Sequence, residues 1–310
     1  MAAKQPQKLK DPESQKELAE AKAYFGANEL LTNPPVCRAA YSDRMAWVLA
    51  SMAHLAYDRF EEGGQTKALL LKKLEGGGFK WINGFVSTET DTQAFLVAKE
   101  DLSYAVLAFR GTEASKLTDI LTDAKASMAK TIEGSVHKGF KNAYQSVESD
   151  IEKSIAKLNG IPLYITGHSL GAALATYATR CLEQNPAFRD QIAACYTYGS
   201  PRVGNTEFNI EFKSVIYRVV NTTDIVTVIP LLVMGYIHIG DIRFLERNPG
   251  ELRRGYIPLL QRLFFFIIGI FRLFGPWVGD HAIVRYRKIL EAIAQDRNLD
   301  LYYDGLPRSK

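Results

Sequence analysis

The segment Ile161-Pro-Leu-Tyr-Ile-Thr166-Gly167-His168-Ser169-Leu170-Gly171-Ala172-Ala173-Leu174-Ala175 decides the fold of this chain. Its first six residues form an apolar, β-rich run of the kind that fills a strand buried on both faces. From Leu170 to about Leu182 small residues dominate, predicting a helix that can approach a sheet closely. Gly167 and Gly171 bracket Ser169, so the junction reads as a sharp strand-to-helix turn with a serine at its tip. Such a turn leaves room only for very small neighbours. It also aims the free N–H groups and positive dipole end of the helix at whatever reacts there.

The alternation extends outward from this turn. Ser42-Asp43 caps an amphipathic helix predicted from about Arg44 to Phe60, with Met45, Val48, Leu49, Met52 and Leu55 at helical spacing. Gly76-Gly77-Gly78 ends the next helical stretch. Short strands are predicted at Phe79–Ile82, Ala94–Ala98 and Tyr104–Phe109, followed by a helix over Lys138–Leu158. Further strands fall at Ile192–Tyr198 and Val215–Val220, and a last helix at about Ala282–Ala294. Apolar strands alternating with helices imply an α/β class fold, a mostly parallel central sheet flanked by helices. No repeat or internal linker divides it. Residues 1–40 are expected to form a polar N-terminal arm, solvated to about residue 35, and residues 41–310 a single domain.

Composition narrows the function. The 310 residues are 47% hydrophobic, ample for a large core, and 23% charged with a net charge of +4. That balance argues against disorder and against a nucleic-acid partner. Cys37, Cys181 and Cys195 are scattered and form no disulfide framework or metal-ligand cluster, so they read as small buried hydrophobes. No metal is expected. Met1 to Glu20 is lysine-rich and lacks the apolar core of a secretory signal. The expected setting is therefore cytoplasmic or peripheral to a membrane.

A serine nucleophile needs a base, and the chain has five histidines. His168 should point away from Ser169 at a tight turn. His54 lies in a predicted amphipathic helix, and His137 has no acid placed after it. His281 and His238 remain, and a chain order of serine, acid, histidine favours His281, with His238 as runner-up. For the acid, the strand Val215–Val220 runs into Asn221-Thr-Thr-Asp224, whose carboxylate can reach an imidazole from the loop. Asp241 and Asp280 compete. Leu170 N–H and Thr112, just beyond the strand Tyr104–Phe109, are the expected oxyanion donors, with Gly111 allowing close backbone approach.

Taken in order, Phe109-Arg-Gly-Thr112, Val136-His-Lys-Gly-Phe140, Gly167-His-Ser-Leu-Gly171, Tyr198-Gly-Ser-Pro-Arg-Val-Gly204, Arg218-Val-Val-Asn-Thr-Thr-Asp224, Gly235-Tyr-Ile-His-Ile-Gly240 and Asp280-His281 resemble the class 3 lipases, the fungal-lipase-like branch of the α/β-hydrolases. The resemblance implies an α/β-hydrolase fold with Ser169, Asp224 and His281 as the triad and Thr112 and Leu170 as oxyanion donors. It places His238 at a Gly-Tyr-x-His site that is not the catalytic one. It also implies a lid over about Glu113–Met128, with Leu117, Ile120 and Leu121 as apolar residues at near-helical spacing.

One stretch stands apart. Between Gly255 and His281, residues 257–279 form an apolar helical insertion before the histidine, whose longest uninterrupted apolar run is Leu263–Phe271. As a helix that run spans roughly 14 Å, short of the hydrocarbon thickness of about 30 Å. Flanking Arg262 and Arg272 fit a helix lying at a lipid interface better than one crossing it, with a lid, a helix packed against the core or a dimer contact as the alternatives. The expected function is a lipase or carboxylesterase hydrolysing fatty-acyl (acylglycerol) esters through an acyl-enzyme, with no cofactor. A phospholipase A1 or an aryl or feruloyl-type esterase on the same scaffold is the alternative, followed by a non-catalytic membrane-binding homologue.

Overall fold

The computed structural model describes residues 12–26, 28–31, 40–111, 128–131, 134–210, 212–221, 224–230, 232–245, 252–254 and 281–298. In chain order the strands are β1 (Phe79–Ser87), β2 (Thr92–Lys99), β3 (Ala105–Phe109), β4 (Met128–Thr131), β5 (Gly134–His137), β6 (Leu163–His168), β7 (Ile192–Tyr198), β8 (Ile216–Asn221), β9 (Asp241–Leu245) and β10 (Leu252–Arg254). Eight of them form one sheet in the order β1-β2-β3-β6-β7-β8-β9-β10, and β4 and β5 make a separate hairpin. Strands β3, β6, β7, β8 and β9 run parallel to their neighbours in that series, while β1–β2, β2–β3 and β9–β10 pair antiparallel.

Side-chain alternation divides the core into two layers. Val106 and Ala108 of β3 join Tyr164, Tyr196 and Val219 in a cluster covered by the helices Asp43–Leu55 and Ile283–Asn298. Ala105, Leu107 and Phe109 join Leu163, Ile165 and Cys195 on the other face, beneath the helices Lys138–Gln145, Glu148–Ala156 and Leu170–Gln184. Every residue of β3 and β6 is buried, as expected of central strands covered on both faces. Among the described residues, no helix is long and apolar enough to cross a membrane.

Several sequence expectations need correction. The capped helix begins as expected, with Ser42 Oγ accepting the Met45 N–H at 3.3 Å, but it ends at Leu55 rather than Phe60. Arg59 turns to a φ of 28°, and Phe60–Glu62 forms a separate 3-10 turn that buries Phe60. The single helix expected over Lys138–Leu158 is two. Val147 leaves the helical region at φ −125° and buries its side chain in the core, while Ser146 Oγ donates to the Ala143 carbonyl at 2.8 Å. The β4–β5 hairpin, β9 and β10 carry too few apolar residues in alternation to stand out in the sequence.

The solvated arm also needs narrowing. Residues Pro12–Lys22 form a helix, and Ala21, Phe25, Leu30 and Leu31 are buried. The Phe25 ring lies 5.9 Å from both Trp47 and Phe79. Arg287 on the last helix donates to the Tyr24 carbonyl at 2.6 Å. Polar residues outnumber apolar ones here, so the sequence average hid a few deep anchors. Phe25→Ala is expected to cost about 3–5 kcal/mol in urea denaturation. A loss below about 1 kcal/mol would show that the segment rests on the core without contributing to it. Thr112, the lid residues Leu117, Ile120 and Leu121, Asp280, Cys37 and the insertion 257–279 lie outside the described residues.

Candidate active site

Ser169 stands where β6 ends and the helix Leu170–Gln184 begins, at φ 57° and ψ −128°. This is a strained conformation for any residue with a side chain, sustained only when the surroundings over-determine it. They do so here. A Cβ on Gly167 would collide with the backbone of Gly171 and Ala172, and one on Gly171 with the backbone of Phe109 and Arg110. The Ser169 N–H donates to the Tyr198 carbonyl at 3.0 Å, tying the turn to β7. Beyond it, Leu170 opens the helix. The first amides of a helix have no intrahelical acceptor, so its N–H is free to meet negative charge.

The sequence pairing of Asp224 with His281 is present in the structure. Asp224 follows the end of β8, and its Oδ2 lies 2.8 Å from His281 Nδ1, with both residues buried. The carboxylate is held from several sides. Its Oδ1 accepts the Val226 N–H at 3.0 Å, and its Oδ2 accepts the Tyr286 hydroxyl proton at 2.6 Å. Tyr286 Oη in turn accepts the Asn221 N–H at 2.9 Å. With Asp224 accepting, His281 carries its proton on Nδ1 and leaves Nε2 with a lone pair. His281 Nε2 and Ser169 Oγ are both buried, and neither has a hydrogen-bond partner among the described residues.

The other histidines have different duties. His238 Nε2 donates to the Thr227 carbonyl at 2.5 Å, and the Thr227 hydroxyl donates to the Asp224 carbonyl at 2.8 Å, so His238 braces the acid's loop. His54 lies 2.7 Å from Tyr24 Oη, and burial lowers its pKa to about 4. His137 caps the helix Lys138–Gln145 by accepting the Gly139 N–H. His168 does point away from the serine hydroxyl, toward Tyr57 and the His281 backbone. Asp241 opens β9 and pairs with Arg243 at 2.6 Å, outside the Asp224–His281 pair. Burial pushes the Cys181 and Cys195 thiols up to about 12, consistent with packing duty.

Sequence reasoning missed Tyr286 and Gly199. Tyr286 lies five residues past His281, and no spacing rule joins it to Asp224. Gly199 has a φ of +57°, and a Cβ there would sit 2.6 Å from Asp224 Oδ2 and 3.0 Å from the His281 ring. Its only signal was its place in the string Tyr198–Gly204. Gly199→Ala is expected to push the carboxylate off the imidazole and lower kcat about 100-fold, since misplacement by 1 Å costs about that much. Steady-state kinetics with a soluble ester would check it. A change under threefold would mean the pair can shift intact.

With this geometry in view, comparison with known proteins is informative. Residues 106–234 match the family model Lipase (class 3). A lipase of Rhizopus niveus is 34% identical over 172 residues, covering 52% of this chain and 43% of that protein. A secreted mono- and diacylglycerol lipase A of Penicillium cyclopium is 34% identical over 167 residues, covering 50% and 52%. The chain thus spans about half the length of these curated relatives. Among solved structures, the lipase of Rhizopus microsporus var. chinensis superposes with a TM-score of 0.61 at 26% identity, covering 76% of this chain and 88% of that one. Residues 106–234, which carry both the strained serine and the buried aspartate, match the class 3 lipase model, and the chain around them has the fold of a solved lipase.

Proposed function

We propose that the protein is a serine carboxylester hydrolase that cleaves fatty-acyl esters of the acylglycerol kind. The observation that carries this reading is the combination of a strained, buried Ser169 at a helix start with an Asp224–His281 pair at 2.8 Å. In the proposed cycle, His281 Nε2 takes the Ser169 proton as Oγ attacks the ester carbonyl. Leu170 N–H and Thr112 stabilise the oxyanion of the tetrahedral intermediate. Collapse expels the alcohol, which receives the proton from His281 and leaves an acyl-serine. Water, deprotonated by the same imidazole, then releases the fatty acid and restores the serine. Asp224 keeps the tautomer and stabilises the transient imidazolium.

The lipid preference rests on the relatives' named activities and on the apolar residues of the chain. Leu117, Ile120 and Leu121 would cover the serine in water and withdraw at a lipid surface, and residues 257–279 would touch that surface. Hydrolysis of glycerol and p-nitrophenyl esters of graded acyl length, below and above their solubility limit, tests this. A rate jump at the onset of emulsion is expected. Saturation below the solubility limit, with no gain above it, would leave a soluble-ester esterase. Preferential cleavage of phosphatidylcholine would instead assign a phospholipase A1.

A further inference from the structure

His168, adjacent to the serine but unused in the proton transfers above, joins three parts of the site. Its Nε2 lies 2.6 Å from the His281 carbonyl oxygen, and its Nδ1 lies 2.8 Å from Tyr57 Oη. Tyr57 Oη also lies directly against the backbone of Gly111, immediately before Thr112. A side chain on Gly111 would collide with that hydroxyl and with the His168 carbonyl, so the loop is seated directly on the tyrosine.

The direction of every bond is forced. A carbonyl oxygen can only accept, so His168 carries its proton on Nε2. A neutral ring then has a lone pair on Nδ1, which accepts from the Tyr57 O–H. The tyrosine oxygen packs against the Gly111 backbone. The series is therefore Tyr57 O–H to His168 and His168 N–H to the His281 carbonyl, with Gly111 seated on the tyrosine oxygen. An imidazolium at His168 would put a second donor against the tyrosine and break the order. Burial and the facing His281 both hold His168 neutral, well below the usual histidine range. The two imidazole rings lie 4.5 Å apart at 36°, so a charge on His168 would also oppose the charge that develops on His281.

We propose that Tyr57 and His168 are positioning residues, a directed hydrogen-bond strut that sets the oxyanion loop at Gly111 and the backbone of His281 at fixed places relative to Ser169. Neither touches substrate. This rests on the ester-hydrolase reading for its kinetic consequence, while the bond directions stand without it. Rigid placement of the oxyanion donors and the base favours the transition state over the bound ester. Loss of the strut therefore appears in kcat rather than KM.

The test uses the full chain with p-nitrophenyl butyrate. Active serines are counted by stoichiometric release of p-nitrophenolate from diethyl p-nitrophenyl phosphate, in which the serine oxygen bonds to phosphorus and p-nitrophenolate leaves. Turnover per counted serine separates positioning from the fraction folded. Tyr57→Phe is expected to lower kcat per site about tenfold, and His168→Leu about 100-fold, with KM within about twofold, in keeping with the cost of a 1 Å misplacement. His168→Gln, whose amide N–H can occupy the place of Nε2, is expected to recover most of the loss seen with leucine. Losses confined to the number of counted sites, or kcat per site within twofold of wild type in both Tyr57→Phe and His168→Leu, would overturn the proposal. A Ser169→Ala variant that retains activity would instead place the nucleophile elsewhere and remove the Ser169 reading on which the kinetic consequence rests. Nitrogen-15 NMR of labelled histidines reads the strut without any substrate. A neutral Nε2–H ring at His168, with an Nδ1 shift that moves in Tyr57→Phe, supports it, and an Nδ1–H ring or an imidazolium at pH 7 refutes it.

Discussion

Replacing Ser169 with alanine is expected to lower kcat on p-nitrophenyl butyrate about a million-fold, the order of loss when a triad nucleophile is removed. Only the attacking oxygen disappears. The turn itself is set by glycines that cannot accept a Cβ and by the Ser169 N–H bond to Tyr198, none of which the substitution touches. Thermal stability should therefore stay close to that of the parent. Glycine at the same position should differ from alanine, because a φ of 57° with a ψ of −128° strains any side chain by about 1–3 kcal/mol. Ser169→Gly is thus expected to melt higher than Ser169→Ala while being equally inactive. Parental turnover in Ser169→Ala would place the nucleophile elsewhere, and equal melting of the two variants would contradict the strain.

Asp224→Asn is expected to cost about ten-thousandfold in kcat with little change in KM. The cause is a reversed donor. An amide NH2 facing His281 at 2.8 Å would donate to Nδ1 and drive the ring proton to Nε2, where it blocks proton acceptance from the serine. Tyr286 opposes this orientation, because its hydroxyl donates to the same oxygen, whereas the Val226 N–H donates to Oδ1 and holds the amide oxygen there, leaving the NH2 to face the ring. The backbone bond from Val226 to Oδ1 can persist, so the loop should stay folded. A tenfold loss or less would mean that Asp224 is a structural anchor and that another group orients the imidazole. Tyr286→Phe makes a milder companion, leaving the Asn221 N–H without its acceptor.

Much of the fold is legible along the chain because central parallel strands must be apolar on both faces, and such runs stand out. The strand Ile192–Tyr198 has its expected bounds, and Ser42 caps the helix it was expected to cap. Elements that alternate weakly, such as β9 with Arg243 in its middle, do not announce themselves. Nor does the burial of Phe25, which depends on Trp47 and Phe79 being near and not on its polar neighbours.

The local sequence by itself determined the sharp turn at Ser169 and the sheet around it, because glycine spacing and residue period act over a few neighbouring residues. It also favoured Asp224 and His281 as the partner residues, as loop positions after a strand and before a helix, while leaving His238, Asp241 and Asp280 in competition. Only the tertiary structure decided that these two lie 2.8 Å apart, that Tyr286 steadies the acid, and that His168 reaches Tyr57 and the His281 backbone. Those contacts join residues 57 to 113 positions apart in the chain. Hydrogen bonds at such separations are set by how the sheet stacks its strand ends at one edge, and no local pattern encodes them.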